Sequence, residues 1–449
     1  MERAYTRRQV LATAAGCTVA AVTGSRAEST SRPSPRSGAN ESIRVGLIGC
    51  GSRGPYIGYI FQMMPGVQLA AVCDVHRARA AAAVRQAEQV SGRTPQTYTD
   101  FRRLLERRDI DAVIIATDDH WHVLAAIHAC AAGKDVYLEK PVGTSIMEGR
   151  ALVQAARHHD RIVQMGTQQH SWEHYREAVD LIRGGTLGAI SQVRVWDVEN
   201  QSPGIGSPSD EPPPSELDWD FWLGPSPVVP YNRNRYDHEY WFFDYGGGWQ
   251  VAWGVHHFDI VHWAMGVTAP VAAMAAGGKF AFPGDNREWP DTFAGTSEYP
   301  PGPVAGRGFL LTYTCRLGAT DIVANRRHGK SFYGTEAILT LDRGGFELVS
   351  QEHGGKKRVV ERKVQSAKKE HEVVQDHVRG FLDCLRSRRR PAADIETGHQ
   401  ASNPGHLMNI AWRTGRAIRW DAKREVIIGD SAAQAMTTRQ YRKPWRLPV

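Results

Sequence analysis

Two histidines stand side by side, His256 and His257, in GGGWQVAWGVHHFDIVHW, residues 246–263, and Asp259 follows shortly after them. The apolar spacing predicts a helix behind three glycines. Three chemistries suit such a pair: metal ligation, proton transfer, or a polar stripe tolerated by a packed core. Adjacent helical side chains point about 100° apart and do not readily share one ion. His256 and Asp259 have workable spacing, but nothing else completes a ligand shell, so no metal is expected. Proton transfer by His256 and core packing both stay open. His257 projects to a different side and reads as a structural neighbour of the site.

Lys140 is the second group able to hold or move a proton. It lies at the end of DVYLEKP, whose apolar run predicts a buried strand. A lysine partly withdrawn from water loses basicity and becomes able to orient or polarise a hydroxyl. Most lone lysines are merely solvated. The strand-end position and the following Pro141 set this one apart.

The elements that must position these groups begin with SIRVGLIGCGSRGPYIGYIF. An apolar strand runs into Gly49-Cys50-Gly51-Ser52-Arg53-Gly54, a helical pattern follows, and a second strand, VQLAAVCD, ends at Asp74 about 20 residues on. Strand, GxGxxG turn, helix and acid in that order form a dinucleotide-binding fingerprint. The glycines let the backbone approach a pyrophosphate, which the helix amides then hold. Asp74 accepts from the adenosine ribose hydroxyls and repels a 2′-phosphate. That favours NAD, with NADP open through Arg77 or Arg79.

Strands and helices alternate onward through RIVQMGT, predicting a doubly wound parallel sheet whose ligands lie beyond the strands' carboxyl ends. The candidate cofactor contacts are therefore Gly49, Gly51, Ser52, Arg53, Gly54 and Asp74, joined at later strand ends by Thr117, His120, His122, Glu139, Lys140 and Gln168.

Farther on the pattern changes. AISQVRVWDVEN, GFLLTYTC, DIVANRRHG and EAILTLD alternate apolar and polar residues, as half-buried antiparallel strands do. A Pro/Gly-rich excursion over residues 201–248 interrupts them. Its many Trp, Tyr and Phe residues read as an ordered wall, suited to the apolar face of a sugar ring. Trp241, Asp244 and Tyr245 from this wall, with His257 and Asp259, are the candidate substrate contacts.

With 449 residues, 41% apolar and 23% charged, the chain reads as an ordinary soluble globular protein of two domains. Of the formal charge of +7, a surplus of +3 sits in residues 1–27. The later cluster RSRRR, Arg386 to Arg390, lacks aromatic interleaving and reads as a solvated helix end, so no nucleic-acid partner is expected. No later run reaches the ~18 apolar residues of a membrane span, and no stable membrane insertion is expected. Arg7 and Arg8, a short apolar run and then small residues predict a twin-arginine export signal over residues 1–27. Residues 28–42 read as a flexible linker, and lipid anchoring at Cys17 is the weaker alternative. Without Cys17 five cysteines remain with no CxxC spacing, which argues against a disulfide framework, although one bridge stays open. Cys50 and Cys73 read as packing residues.

Taken together, GLIGCGSRG, ATDDHWH, LEKPVGTS, IVQMGTQQHS, DWDFWLGPSP, FDYGGG, GVHHFDIVHW and FYGTEAILTLD resemble the Gfo/Idh/MocA family of oxidoreductases. The chain is most similar to the exported branch with twin-arginine signals. The resemblance implies an α/β protein. A Rossmann NAD(P)-binding domain spans 43–170, and a C-terminal α/β domain with a large open, mainly antiparallel sheet spans 171–449. The final segment is expected to pack back on the first domain, and the chain to form a dimer or tetramer. Carried over residue by residue, the EKP lysine is Lys140. In D-x-x-x-H-x-x-D the histidine is His256 and the last aspartate Asp259, but the first aspartate falls on Ala252. Asp118 likewise stands where many relatives have proline.

The implied activity is oxidation of a secondary hydroxyl of a sugar or glycoside, with His256 as base and Lys140 as orienting cation. The NAD is expected to be tightly bound and recycled in place in a periplasmic or secreted protein. The family's NAD-dependent glycosidases supply an alternative, hydride-borrowing glycoside hydrolysis. Ala252 motivates a third, a carbohydrate-binding protein that has lost catalysis.

Overall fold

The computed structural model describes residues 42–320, 323–352 and 358–448. The expected export signal and Cys17 lie outside the described residues, as does the expected linker apart from its last residue. The described residues belong to one compact unit that contains two sheets.

The first sheet is parallel throughout. Its strands are β1 (Ile43–Ile48), β2 (Val67–Cys73), β3 (Gln96–Tyr98), β4 (Ala112–Ile115), β5 (Asp135–Leu138) and β6 (Val163–Met165), in the order β3-β2-β1-β4-β5-β6. The connecting helices are α1 (Arg53–Gln62), α2 (Arg77–Ser91), α3 (Phe101–Leu105), α4 (Asp119–Ala131) and α5 (Ile146–His158). Val45, Leu47, Ile114, Val136 and Leu138 are wholly buried. Such unbroken apolar runs are what a sheet covered on both faces requires.

After α6 (Glu173–Arg183) and β7 (Ile190–Val198) the chain enters the aromatic segment. That segment forms only short turns of helix, α7 (Trp219–Leu223) and α8 (Arg233–Asp237). Then come α9 (Trp249–Ala252), α10 (Gly254–Met265), β8 (Ala272–Gly278), β9 (Thr292–Tyr299), β10 (Phe309–Arg316) and β11 (His328–Gly334). The rest is β12 (Ala337–Asp342), β13 (Gly345–Ser350), β14 (Val360–Gln365), α11 (Glu370–Ser387), α12 (Ile395–Thr414), β15 (Ile418–Asp421), β16 (Val426–Ile427) and α13 (Ser431–Ala435).

These strands build a second sheet in the order β14-β13-β12-β11-β7-β10-β9-β8-β15-β16. It is antiparallel except where β10 runs parallel to β7. In β10, Phe309, Leu311, Tyr313 and Cys315 turn to the core while the alternate residues face outward. Helices α6, α10 and α12 cover the inner face. The end of the chain reaches back to the first sheet through α12, which packs on α5 and β6. The approach is close: a Cβ on Gly149 would lie 2.4 Å from His399 Nδ1.

Two local expectations change. The double-histidine segment is not one helix, because Trp253 (φ −102°, ψ −39°) separates α9 from α10. Ala252 and His256 therefore do not share one uninterrupted helical face. DIVANRRHG is not a strand over residues 323–327: Ala324 and Asn325 take positive φ (49° and 61°) and close a turn bridging Val323 to Arg326. The strand proper begins at His328. At RSRRR, α11 stops at Ser387 and Arg388 turns back to bind Asp135 at 2.6 Å. Cys50, Cys73, Cys130, Cys315 and Cys384 are free thiols. No described helix is long and apolar enough to cross a membrane.

Candidate active site

The glycine-rich turn is shaped by contacts that leave no room for side chains. Gly49 sits at φ +93°, and a Cβ there would fall 2.5 Å from the Ala116 backbone. One on Gly54 would lie 1.9 Å from the Gly49 carbonyl, so α1 seats directly on the turn. Gly51 differs: the nearest atom to a Cβ there is Arg79 Nη1, at 4.0 Å. Its open side faces a groove whose lining includes Gly49, Gly51, Asp74, Arg79, Thr117 and Trp222. Asp74 is fixed at the end of β2 by the Cys50 and His76 amides, at 2.5 and 2.7 Å, while burial pushes its carboxyl up. An open glycine edge beside a held carboxylate fits a dinucleotide, pyrophosphate at Gly51 and ribose at Asp74.

The aromatic segment closes this groove from the other sheet's side. Asp218 N bonds Val75 O at 3.0 Å, and Phe221, Trp222 and Tyr236 line the wall. Arg79 lies over the Tyr236 ring, 4.4 Å from its centroid. The last described residues brace the wall from outside: Trp445 packs edge-on against Trp121 at 4.9 Å, and Arg442 Nε bonds Gly224 O at 2.9 Å.

Of the other expected cofactor contacts, Thr117 lines the groove and Ser52 is exposed at the cap of α1. Arg53 turns to Glu139, with Nε to Oε1 at 2.9 Å. His122 reaches both the Pro141 and Thr117 carbonyls, at 2.7 and 3.0 Å, and so ties β4's end to the cis Lys140–Pro141 peptide. Gln168 donates to Glu370 at 3.1 Å while its Oε1 is buried without a partner. His120 is not among the groove's lining residues. Its Nε2 meets Trp222 O at 2.8 Å, and burial pushes the imidazole down to about 3, so it stays neutral and supports the wall.

Lys140 stands half-buried just beyond β5, and its Nζ donates to Ala252 O at 2.9 Å. Burial lowers its basicity, Asp119 and Glu139 oppose that, and Arg53 and Arg343 add to it. His256 follows on α10, 4% exposed, with Nδ1 buried and unpartnered. Burial, then Arg343 and Lys140, hold its imidazole well below the ordinary range. A neutral ring near a cation is in the form that can accept a proton.

The expected substrate contacts are largely occupied elsewhere. His257 Nε2 binds Asp197 Oδ1 at 3.0 Å, and Tyr313 donates to the other Asp197 oxygen at 3.0 Å. Asp259 is wholly buried against His170 Nε2 at 2.9 Å. Trp241 and Tyr245 are wholly buried too: Arg287 covers Trp241 at 4.5 Å, and Tyr245 packs between His120 and Trp222. They form the wall's inner packing rather than its face. Asp244 is held through its carbonyl, which accepts from Ser226 at 2.9 Å. Among the described residues no group of three or more His, Cys, Asp or Glu is placed to hold a metal ion.

The structure adds groups that the sequence did not single out. Arg343 lies over the Trp253 ring at 4.9 Å and pairs with Glu370 at 3.2 Å. Lys330 on β11 is buried beside Gln169, its pKa pushed by burial and Arg343 down to about 7. Asp119, in the TDDHWH strand end that the sequence did mark, is 8% exposed, with its Oδ2 buried and unpartnered.

Comparison with known proteins identifies the fold and the family. The oxidoreductase-family model for the NAD-binding Rossmann fold matches residues 43–167, and the model for the family's C-terminal α/β domain matches 184–276 and 359–447. A glycosyl hydrolase family 109 protein of Saccharopolyspora erythraea is 33% identical over 157 residues, 34% of this chain and 34% of that protein. An alpha-N-acetylgalactosaminidase of Shewanella oneidensis is 30% identical over 201 residues, 41% of this chain and 44% of its own. The chain thus spans less than half the length of these relatives. Levoglucosan dehydrogenase in complex with NADH and levoglucosan has the same fold, with TM-score 0.65 and 17% identity over 84% of this chain and 99% of that one. With the Rossmann residues and much of the C-terminal domain matched by the two family models, the chain belongs to the Gfo/Idh/MocA family of NAD-binding oxidoreductases.

Proposed function

We propose that this protein oxidises a secondary hydroxyl of a sugar or glycoside. The observation that carries the reading is the bond from Lys140 Nζ to Ala252 O, which brings the strand-end lysine to the turn that leads into His256. NAD in the groove would supply the hydride acceptor. Lys140, with N–H groups to spare, orients the substrate oxygen. Neutral His256 takes the hydroxyl proton, and the aromatic wall excludes water. The bracing of the groove's wall by Trp445 and Arg442 supports a cofactor that stays bound through turnover, and the Arg7–Arg8 leader supports export of the loaded protein.

A cofactor that stays must be re-oxidised in place, either by a second sugar or by returning its hydride to the first. The glycosidase names among the relatives favour the second course, transient oxidation followed by glycoside cleavage. Purified protein separates the two. Net formation of reduced nicotinamide on adding sugars supports simple oxidation, and aglycone release without net reduction supports hydride borrowing. Purified protein that neither carries nor binds NAD or NADP would refute both.

A further inference from the structure

Away from the cofactor groove, the last turns of α10 border a second opening. Helices α6 and α12 both pack against α10. A cleft of about 470 Å³ is lined from all three helices and from the turn after β6. That volume is within the range of small-molecule sites. Trp263 on its wall follows His256 by two helical turns, about 10 Å along α10.

The charges lining this cleft have one sign. Arg176 and Arg183 stand two turns apart on α6, on the same side of the helix. Both are exposed, and each spends one nitrogen on a backbone carbonyl, Arg176 Nε on His170 O at 3.2 Å and Arg183 Nη2 on Trp263 O. Their other N–H groups have no partner among the described residues. No described aspartate or glutamate lines the cleft. Asp180, exposed on α6, is not part of its wall and forms an ion pair with neither arginine. Asp259 is wholly buried, and it is His170, bonded to it at 2.9 Å, that reaches the cleft. On α12, Glu396 pairs with Arg150 at 2.9 Å.

Two guanidinium groups with N–H groups to spare bind a carboxylate or a phosphate. The rest of the lining suits a ring that carries hydroxyls. Trp263 is half-buried, its indole 4.6 Å from the His170 ring, and an indole offers an apolar surface to the C–H face of a sugar. Thr397 supplies a hydroxyl. Gln400 gives Nε2 to Glu396 at 3.3 Å and keeps its carbonyl oxygen as an acceptor. We propose that this cleft is a binding site for an anionic sugar of one or two rings. Its carboxylate or phosphate binds Arg176 and Arg183, its ring lies on Trp263, and its hydroxyls meet Thr397 and Gln400. The site stands apart from the oxidoreductase reading: neither Lys140, His256 nor any lining residue of the cofactor groove belongs to it.

Calorimetric titration of the full purified chain with glucose 6-phosphate, glucuronate, inorganic phosphate and glucose tests the site. The better of the two acid sugars should bind with a Kd of about 1 mM or tighter, and which one it is separates phosphate from carboxylate recognition. That sugar should bind about tenfold tighter than inorganic phosphate, through the ring surface it buries. Neutral glucose should bind about tenfold weaker than it, for want of charge-assisted bonds. Arg176→Gln and Arg183→Gln should each weaken the acid sugar by about tenfold. Both side chains are exposed, so both variants should melt close to the wild type. Wild-type protein that binds neither acid sugar at about 10 mM overturns the proposal even if no variant folds. Binding unchanged by both substitutions also overturns it, by placing the anion elsewhere. Equal affinity for inorganic phosphate and the acid sugar overturns it too, by removing the ring from the site.

Discussion

Lys140 Nζ donates to the Ala252 carbonyl at 2.9 Å, so the lysine is anchored by backbone at the residue where the family pattern places a carboxylate. An acceptor without charge holds the amine in place but does little to keep it protonated. His256, which follows on the next helix, is likewise surrounded by cations: Arg343, Lys140 and Arg53 all disfavour its charged form.

Restoring the acid should therefore be visible as a pH shift. Ala252→Asp adds a negative charge beside two groups whose basicity burial has lowered, and opposite charge raises both. The acid limb of kcat/KM, set by the base losing its proton, should move to higher pH by about one unit or more. A pH–rate profile of the variant checks this. An unmoved limb would show that His256 and Lys140 do not sense position 252.

Asp74 should decide between the two nicotinamide cofactors. Its carboxylate already accepts from the Cys50 and His76 amides and keeps lone pairs for ribose hydroxyls. Asp74→Asn keeps the shape, removes the charge and weakens NAD by about 10- to 100-fold, the worth of a charge-assisted hydrogen bond. NADP, freed of repulsion, should lose less or gain. Tryptophan-fluorescence titration with both cofactors measures the ratio, and an unchanged ratio would remove Asp74 from the ribose site.

Acid stability should depend on a cluster that ties the end of the chain to the cofactor domain. Arg150 on α5 holds Glu425 through two bonds of 2.8 Å, and His399 on α12 meets the same carboxylate at 2.6 Å. Burial alone would raise Glu425, but Arg150 and His399 outweigh it and take the carboxyl from 4.5 down to about 2. A folded-state pKa below the unfolded one means stability that is complete above the unfolded value and lost as pH falls through the folded one. Wild-type melting temperature should therefore drop between pH 4.5 and about 2. Glu425→Gln should melt lower at neutral pH and show a flatter acid slope, and parallel acid slopes would contradict the assignment.

What sequence revealed, and what it did not, follows from the range of the forces involved. The Rossmann half was legible because its signals are local: buried strand runs, the fixed spacing from Gly49 to Asp74, and a strand-end lysine before Pro141. The second sheet was legible as alternation. Partners were not, because they depend on which distant element covers a side chain. His257 looked like a neighbour of the substrate until Asp197, on β7, claimed it. Trp241 and Tyr245 looked like a sugar platform, yet Arg287, Trp222 and His120 bury them.

The two adjacent histidines should separate cleanly into chemistry and structure. His257 shares a buried bond with Asp197, whose carboxyl burial would raise but His257 and His328 hold below its usual range. An asparagine at 257 falls short of the Nε2 position and leaves Asp197 Oδ1 without its partner, with only Tyr313 still donating to Oδ2, at a cost of about 1–3 kcal/mol. His257→Asn should thus melt several degrees lower while the folded fraction keeps much of its kcat/KM. His256 has no hydrogen-bond partner at Nδ1 to forfeit, and its neutral ring stands among cations, so His256→Asn should melt near the wild type. Its kcat/KM should fall by about 100- to 10,000-fold, the range for loss of a general base. Melting temperature and kcat/KM measured on both variants decide the matter. A stable, inactive His257→Asn beside an active His256→Asn would exchange the two roles and place the base on the Asp197 side of the helix.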